Sequence, residues 1–506
     1  MRDCRLMSRW ITVGIASLVL TACATPLEPL SLPQEKTSAP SKSTLWRKLG
    51  SVRSDDWNFL LNDGAVALDW RLRAIDSATE SIAFQTFLWE IDVVGMAIED
   101  HLLKAADRGV RVRILIDDTF LLGDNAASEA LRTHPNIDYR IYNPFKRRTN
   151  SFATRQILNL AEFHRLDHRM HNKVMVVDNQ VAIVGGRNIA DEYFGLHEFA
   201  NFRDMELLVG GAVVQEISDG FDLYWNNEWS FPVDILNASS KPDPDLNSLP
   251  RGSGLDEDLH REESDETRLQ MWGMIVERAI AGQPRVLLDI PPVGSPASHA
   301  PVQLSTDIVN LVDSATSEIR IVSAYLIPTA EFESAIERAE MRGVEVYILT
   351  NSIRSNNHIT AHSAYRKHIR TLLENGTNLH EVKVDAKDRE TYMQSPMEDK
   401  SLALHAKLMI VDKEKVFIGS ANFDPRSLRI NTETGLLVHS EELALQVHDA
   451  VSVDFLPRNS WQLGIAESGQ VQWVSDERQL NHLPSQSVMQ SIEDWFFAHL
   501  PIEGEM

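Results

Sequence analysis

Cysteine is almost absent from this 506-residue chain: there are two, Cys4 and Cys23, both near the N-terminus. No disulfide framework can hold the body of the protein, so the fold must stand on apolar cores. Positive charge is scarce as well. Lys and Arg number 49 against 73 Asp and Glu, a net charge of −24. That balance argues against bulk binding of DNA or RNA, where phosphate contacts demand a basic surface. The apolar stretch from Ile11 to Leu20 is too short to cross a membrane. No Cys or His-x-x-Glu spacing accompanies the histidine motifs described next, so neither a metal nor a cofactor is expected.

What the chain does have is a pattern that occurs twice. His171, Lys173 and Asp178 are repeated as His405, Lys407 and Asp412, 234 residues further on. Each copy is followed at the same distance by a small-residue turn and an asparagine, Gly185-Gly186-Arg187-Asn188 and Gly419-Ser420-Ala421-Asn422. The repetition extends upstream: Asp76-Ser77-Ala78-Thr79 returns as Asp313-Ser314-Ala315-Thr316, and Arg108-Gly109-Val110 as Arg342-Gly343-Val344. This is one long duplication rather than an array of small repeats. The length suits two lobes with sizeable cores.

Both lobes read as α/β. Ser81 to Trp89 is expected as a buried strand and Val94 to Ala106 as a helix. Gly109 follows in the C-cap position, and Val110 to Ile116 is the next strand. Strand, helix, glycine and strand recur from Ile319 through Arg342 to Leu349. Alternation of this kind predicts sheets flanked by helices, not a β-sandwich. The expected organisation is a leader over 1–22, a spacer over 23–48, lobe one over 49–236 and a linker or loop over 237–268. Lobe two follows over 269–506, with a C-terminal extension from about 455. The linker holds Pro242, Pro244, Pro250 and the acidic Asp256-Glu257-Asp258 and reads as a solvated connection. Lys146-Arg147-Arg148, near Pro144 and Phe145, reads as a solvated basic loop, with a face toward lipid headgroups as the alternative.

Taken as a strand, residues 171–177 place His171 and Lys173 on one face and Asp178 on the other, with the same outcome for His405, Lys407 and Asp412. The histidines and lysines are then the chemical pairs, and the two aspartates complete the motif structurally. Two lysines supply fixed positive charge to a phosphodiester, whose oxygens gather charge in the transition state. Asn188, Asn422 and Ser420, on their turns, can hydrogen-bond the same oxygens. One histidine can attack phosphorus as a nucleophile. The other can protonate the leaving alcohol and deprotonate the incoming one. A lysine two residues from each histidine would repel a metal cation.

These residues resemble the phospholipase D superfamily, whose signature is the doubled His-Lys-Asp motif. The longer strings, from Gly185 to Gly195 and from Ile418 to Ser427 with Asn431-Thr432-Glu433, are most similar to bacterial cardiolipin synthases of the class C type. The resemblance implies two lobes, each a mixed β-sheet flanked by helices, related by a pseudo-twofold axis with one active site between them. It implies a phosphohistidine intermediate, with His171 as nucleophile and His405 as general acid and then base. It also implies histidine-orienting acids, Glu433 and, at a different spacing, Asp204. The implied reaction moves a phosphatidyl group from phosphatidylglycerol or phosphatidylethanolamine to phosphatidylglycerol. Hydrolysis by the same machinery, of phospholipid or nucleic acid, stays open, as does a non-catalytic scaffold, which the intact motifs disfavour. A protein partner cannot be read from the sequence.

The N-terminus concerns address. Arg2, Arg5 and Arg9 precede the apolar stretch, and Leu20-Thr21-Ala22-Cys23 looks like a bacterial lipobox. The expectation is a lipid-anchored protein of the cell envelope, acylated at Cys23 and facing the periplasm, with inner or outer membrane undecided. At the other end, Val488, Met489, Ile492, Trp495, Phe496 and Leu500 recur at helical spacing. Packing of this apolar stripe on lobe two is expected ahead of membrane contact.

Overall fold

Residues 174–177 (Val-Met-Val-Val) and 408–411 (Leu-Met-Ile-Val) are apolar at every position. Such runs suit strands covered on both faces, and each forms the middle of a large sheet. The computed structural model describes residues 27–121, 129–149, 151–236, 263–293, 303–356 and 358–498. The first sheet runs Ile280–Ala281, Trp57–Leu61, Glu206–Gly210, Val181–Gly185, Val174–Val177, Ser81–Thr86, Arg111–Asp117, Ile137–Tyr142, Ser230–Pro232. The second runs Gln283–Leu288, Thr434–His439, Lys415–Gly419, Lys407–Val411, Glu318–Ser323, Glu345–Asn351, Asn378–Val382, Ser460–Ile465, Val471–Val474, Gln479–Leu480. Setting aside 280–281 and the last two strands, the orders match strand for strand. In each sheet three neighbouring strands are parallel and the motif strand pairs antiparallel with the first of them. The sheets are therefore mixed, as the duplication implies.

The crossover helices are punctuated as their sequences dictate. Val93–Asp107 starts at Asp92, whose carboxylate accepts from Gly95 N, and stops before Gly109 at φ +95°. Its counterpart Ala330–Met341 starts at Thr329 and stops before Gly343 at φ +84°. Side chains alternate along the motif strands. Met175 and Val177 enter an outer core against the helices of lobe one, and Met409 and Val411 do the same in lobe two. Val174, Val176, Leu408 and Ile410 enter a third core that both lobes share. The lobes are thus fused through buried apolar surface. A parallel pair of strands, Ala200–Arg203 with Ser401–Leu404, ties them further.

Several sequence-based boundaries shift. The motif strand of lobe one begins at Val174, not at residue 171, so His171 and Lys173 lie at its entrance. The spacer is not free where it is described. Ser41 N donates to Asp178 O, Thr37 to Asp222, and the helix Thr44–Val52 buries Trp46 beneath lobe one. The helix Asp265–Arg278 begins inside the expected linker at the N-cap Ser264. It packs on lobe one through Trp272, which meets Trp46 and Trp70 edge-on with ring centroids 5.3 and 5.1 Å apart. Within the basic run, Arg148 is not solvated: it pairs with buried Asp118 at 2.7 Å. The leader, Cys23 and residues 237–262 lie outside the described residues.

Candidate active site

Each histidine is pinned by the backbone of the other lobe. His171 N donates to Thr432 O (2.9 Å), and Thr432 N returns a bond to Arg169 O (2.8 Å). In the same way His405 N and Ala406 N donate to Arg203 O at 2.8 and 2.9 Å. The residues that follow these carbonyls, Glu433 and Asp204, then reach back to the rings. His171 Nδ1 lies 2.9 and 3.0 Å from the two carboxylate oxygens of Glu433. His405 Nδ1 lies 2.6 Å from Asp204 Oδ2. The acids are therefore crossed: lobe two orients the histidine of lobe one, and lobe one that of lobe two. Nδ1 of each ring is committed, which leaves Nε2 for chemistry.

Both lysines are buried beside these rings. Lys173 Nζ donates to His171 O at 2.6 Å, and Lys407 Nζ donates to His405 O. Aromatic rings wall the site. Phe87 meets His171 edge-on at 4.8 Å, and Tyr193 meets His405 at 4.9 Å. Burial, together with the lysine charges, holds His171 down at about 4 and His405 at about 3. Burial also lowers Lys173 to about 7 and Lys407 to about 8. Burial pushes the two carboxyls up, but His171 and Lys173 outweigh it at Glu433, and His405 and Lys407 do so at Asp204. Both carboxyls end below their ordinary values. The resting site thus presents neutral imidazoles, ionised carboxylates and lysines poised to gain full charge when an anion enters.

The remaining expected site residues divide. Asp178 and Asp412 do not join the site. They lie at the far ends of their strands, roughly 15 Å from the lysines at about 3.3 Å per residue. Asp178 accepts from the backbone of Thr79, Glu80 and Ser81 and from Trp46 Nε1, and Asp412 accepts from the backbone of Thr316, Ser317 and Glu318. Their separation from the chemical pairs is along the strand, not only across its faces. Ser420 is not open to substrate: its hydroxyl donates to Glu433 Oε2, so it positions the acid. Asn188 and Asn422 are both buried in the turns beside the site. Asn188 Nδ2 donates to the Tyr193 hydroxyl at 2.8 Å, so that amide is turned to the aromatic wall.

Three positioning residues escaped the sequence reading. Arg187 is fully buried, bonds Glu206 at 3.1 Å and donates to Asp204 O at 2.7 Å. Asp289 accepts from Glu433 N at 3.1 Å, and burial lifts its carboxyl to about 7. Gly186 leaves room for the Asp204 carboxylate, which a Cβ there would meet at 2.4 Å. The one available signal was the difference between the turns, Arg187 in one where Ala421 stands in the other.

Known proteins carry the same arrangement of sequence. The family model described as "Cardiolipin synthase, PLD-like domain" matches residues 72–225 and 308–454, one segment in each lobe. Cardiolipin synthase C of Escherichia coli (strain K12) is 33% identical over 421 residues, covering 82% of this chain and 88% of that protein. A cardiolipin synthase of Staphylococcus aureus (strain Mu50) is 26% identical, covering 80% of this chain and 68% of that one. The crystal structure of phosphatidylserine synthase from Haemophilus influenzae Rd KW20 shares the fold, with a TM-score of 0.55 at 14% identity over 90% of this chain and 97% of that one. With the family model matched once in each lobe and both His–Lys pairs facing one interlobe site, the chain belongs to the phospholipase D superfamily, in its cardiolipin synthase family.

Proposed function

We propose that the protein is a phosphatidyltransferase that makes cardiolipin, transferring a phosphatidyl group from phosphatidylglycerol or phosphatidylethanolamine to phosphatidylglycerol. The observation that carries this reading is the pair of crossed His–carboxylate contacts with two buried lysines between them, in a chain akin to cardiolipin synthases along most of its length. The phosphodiester of the donor enters between Lys173 and Lys407. Its negative charge restores the ammonium charges and favours the imidazolium of His405, which Asp204 supports. Nε2 of neutral His171 attacks phosphorus; the P–N bond forms, the P–O bond to the donor alcohol breaks, and that alcohol takes the His405 proton. The hydroxyl of the acceptor then attacks the phosphohistidine, giving its proton to His405 as the P–N bond breaks. Glu433 holds His171 in the tautomer that exposes Nε2 throughout.

The test is product analysis with purified protein and defined phospholipid mixtures. Cardiolipin should form from phosphatidylglycerol alone or with phosphatidylethanolamine, and His171→Ala should abolish it. Phosphatidic acid as the sole product would make the enzyme a hydrolase instead. Lipidation at Cys23 and residence in the cell envelope belong to the same reading: substrate and enzyme then share a membrane surface.

A further inference from the structure

The C-terminal helix is packed the wrong way round for a soluble protein. Val488–Ala498 lies against the helix Ile359–Tyr365, and its inward anchor is polar. Asp494 is fully buried and bonds His362 Nδ1 (2.7 Å), Ser363 Oγ (3.0 Å) and Arg366 Nη1 (3.0 Å). Large apolar residues face out instead: Ile492 is 52% exposed and Trp495 and Phe496 are each 55% exposed, while Phe497 is partly buried. An amphipathic helix on a water-facing surface normally does the reverse.

A second apolar patch stands on lobe one. Leu160 and Phe163, in the short helical turns that lead into His171, are 69% and 47% exposed. Phe120 is also exposed, and it leads inward: its ring meets Phe87 at 5.4 Å, and Phe87 meets His171 at 4.8 Å. Both patches rise from the same end of their sheets as the catalytic pairs. Phe120 follows the strand Arg111–Asp117, and the helix that carries the C-terminal one follows Glu345–Asn351. Those strand ends are in register with the ends at which Lys173 and Lys407 stand. Exposed cations, Lys146 and Arg354, sit on loops at these ends as well.

We infer that this end of the molecule docks on a phospholipid bilayer, with the apolar face of Val488–Ala498 and the Phe120–Phe163 patch inserted shallowly on either side of the site. The inference rests on the proposed function, under which the substrate is drawn from a bilayer. The ring path from Phe120 to His171 makes the surface that touches Phe120 the one the substrate leaves. Indole and phenyl rings suit the headgroup boundary, and the cations suit anionic headgroups, which offsets the unfavourable net charge. No described helix is long and apolar enough to cross the membrane, so the contact is interfacial.

Trp495 makes the inference measurable, because it is the exposed tryptophan among the described residues, where Trp89 is partly buried and the others are buried. The full chain is mixed with vesicles of phosphatidylglycerol and phosphatidylethanolamine whose acyl chains are brominated. Tryptophan emission should be quenched, and Trp495→Phe should remove most of that quench. A lipid tether at Cys23 would hold the protein on vesicles without placing Trp495 in them, so the quench separates the two. The double variant Ile492→Glu, Phe496→Glu should keep its melting temperature and its turnover of short-chain phospholipid below the micellar concentration. Its turnover on vesicles should fall by about tenfold or more, as two apolar side chains no longer leave water. Absence of a Trp495-dependent quench, or equal loss on both substrates, would overturn the inference. A quench without transfer on either substrate would uphold docking and overturn the proposed function.

Discussion

A buried ammonium is costly to keep charged, and this site keeps two side by side with two imidazoles. Their proximity has a purpose only when an anion lies between them. Lys173→Ala and Lys407→Ala should each lower turnover by roughly 10²–10³-fold, the loss seen when one preorganised donor is taken from a developing anion. Steady-state rates on defined lipids, read beside melting curves, check this; near-normal rates in either variant would remove the lysine from the chemistry. The histidines leave a mark on stability as well. Their folded values, about 4 for His171 and about 3 for His405, lie below the ordinary 6.5. Between pH 6.5 and about 4 the unfolded chain binds protons that the folded site refuses, so stability falls as pH drops through this window. The melting temperature of the His171→Gln, His405→Gln double variant should fall less over that range than that of the wild type, and an equal fall would contradict the buried, neutral assignment. At this scale the sequence was informative about which residues meet at the site, since the spacing of His and Lys recurs. It could not show that Glu433 and Asp204 are exchanged between lobes. Linear order does not record which lobe an acid faces, and the spacing of Asp204 is stretched by residues that build the interlobe strand Ala200–Arg203.

At the scale of elements, the third motif residue is a turn device. Asp178 and Asn179 have φ of 54° and 51°, and Asp412 and Lys413 have 55° and 57°. Two successive positive values make the tight hairpin turn whose twist matches the strands it joins, and Asp or Asn enters it most readily. The Asp178 carboxylate then gathers the backbone of 79–81 and the Trp46 indole, fastening the first parallel strand and the N-terminal segment to the motif strand. Asp178→Asn should cost about 1.5–3 kcal/mol, the range for hydrogen bonds to a buried charged group. It should spare turnover below its melting temperature. Asp412 is less buried, and its variant should cost less. Denaturant titration with parallel rates checks both; lost activity at unchanged stability would give the aspartate a chemical role. The periodicity of strands and crossover helices was legible because both lobes repeat it. The orientation of Val488–Ala498 was not, since it is decided by Asp494 meeting His362, a partner that hydrophobic spacing does not reveal.

The whole molecule is one catalytic unit, not two domains in contact. A shared core joins the sheets, and each histidine takes its backbone anchor and its carboxylate from the other lobe. Duplication made the two-lobed fold readable in the sequence; the fusion was not, because buried interlobe apolar residues look like any other core. The proposed mechanism makes this crossed assembly a covalent catalyst with His171 as nucleophile. Trapping the enzyme with an activated phosphodiester and mapping the modified peptide by mass spectrometry tests it directly. Wild type should carry the phosphoryl adduct on His171, His405→Ala should form the same adduct and release it slowly, and His171→Ala should form none. An adduct on His405 in the wild type would reverse the roles, and no adduct on either histidine would contradict the covalent mechanism.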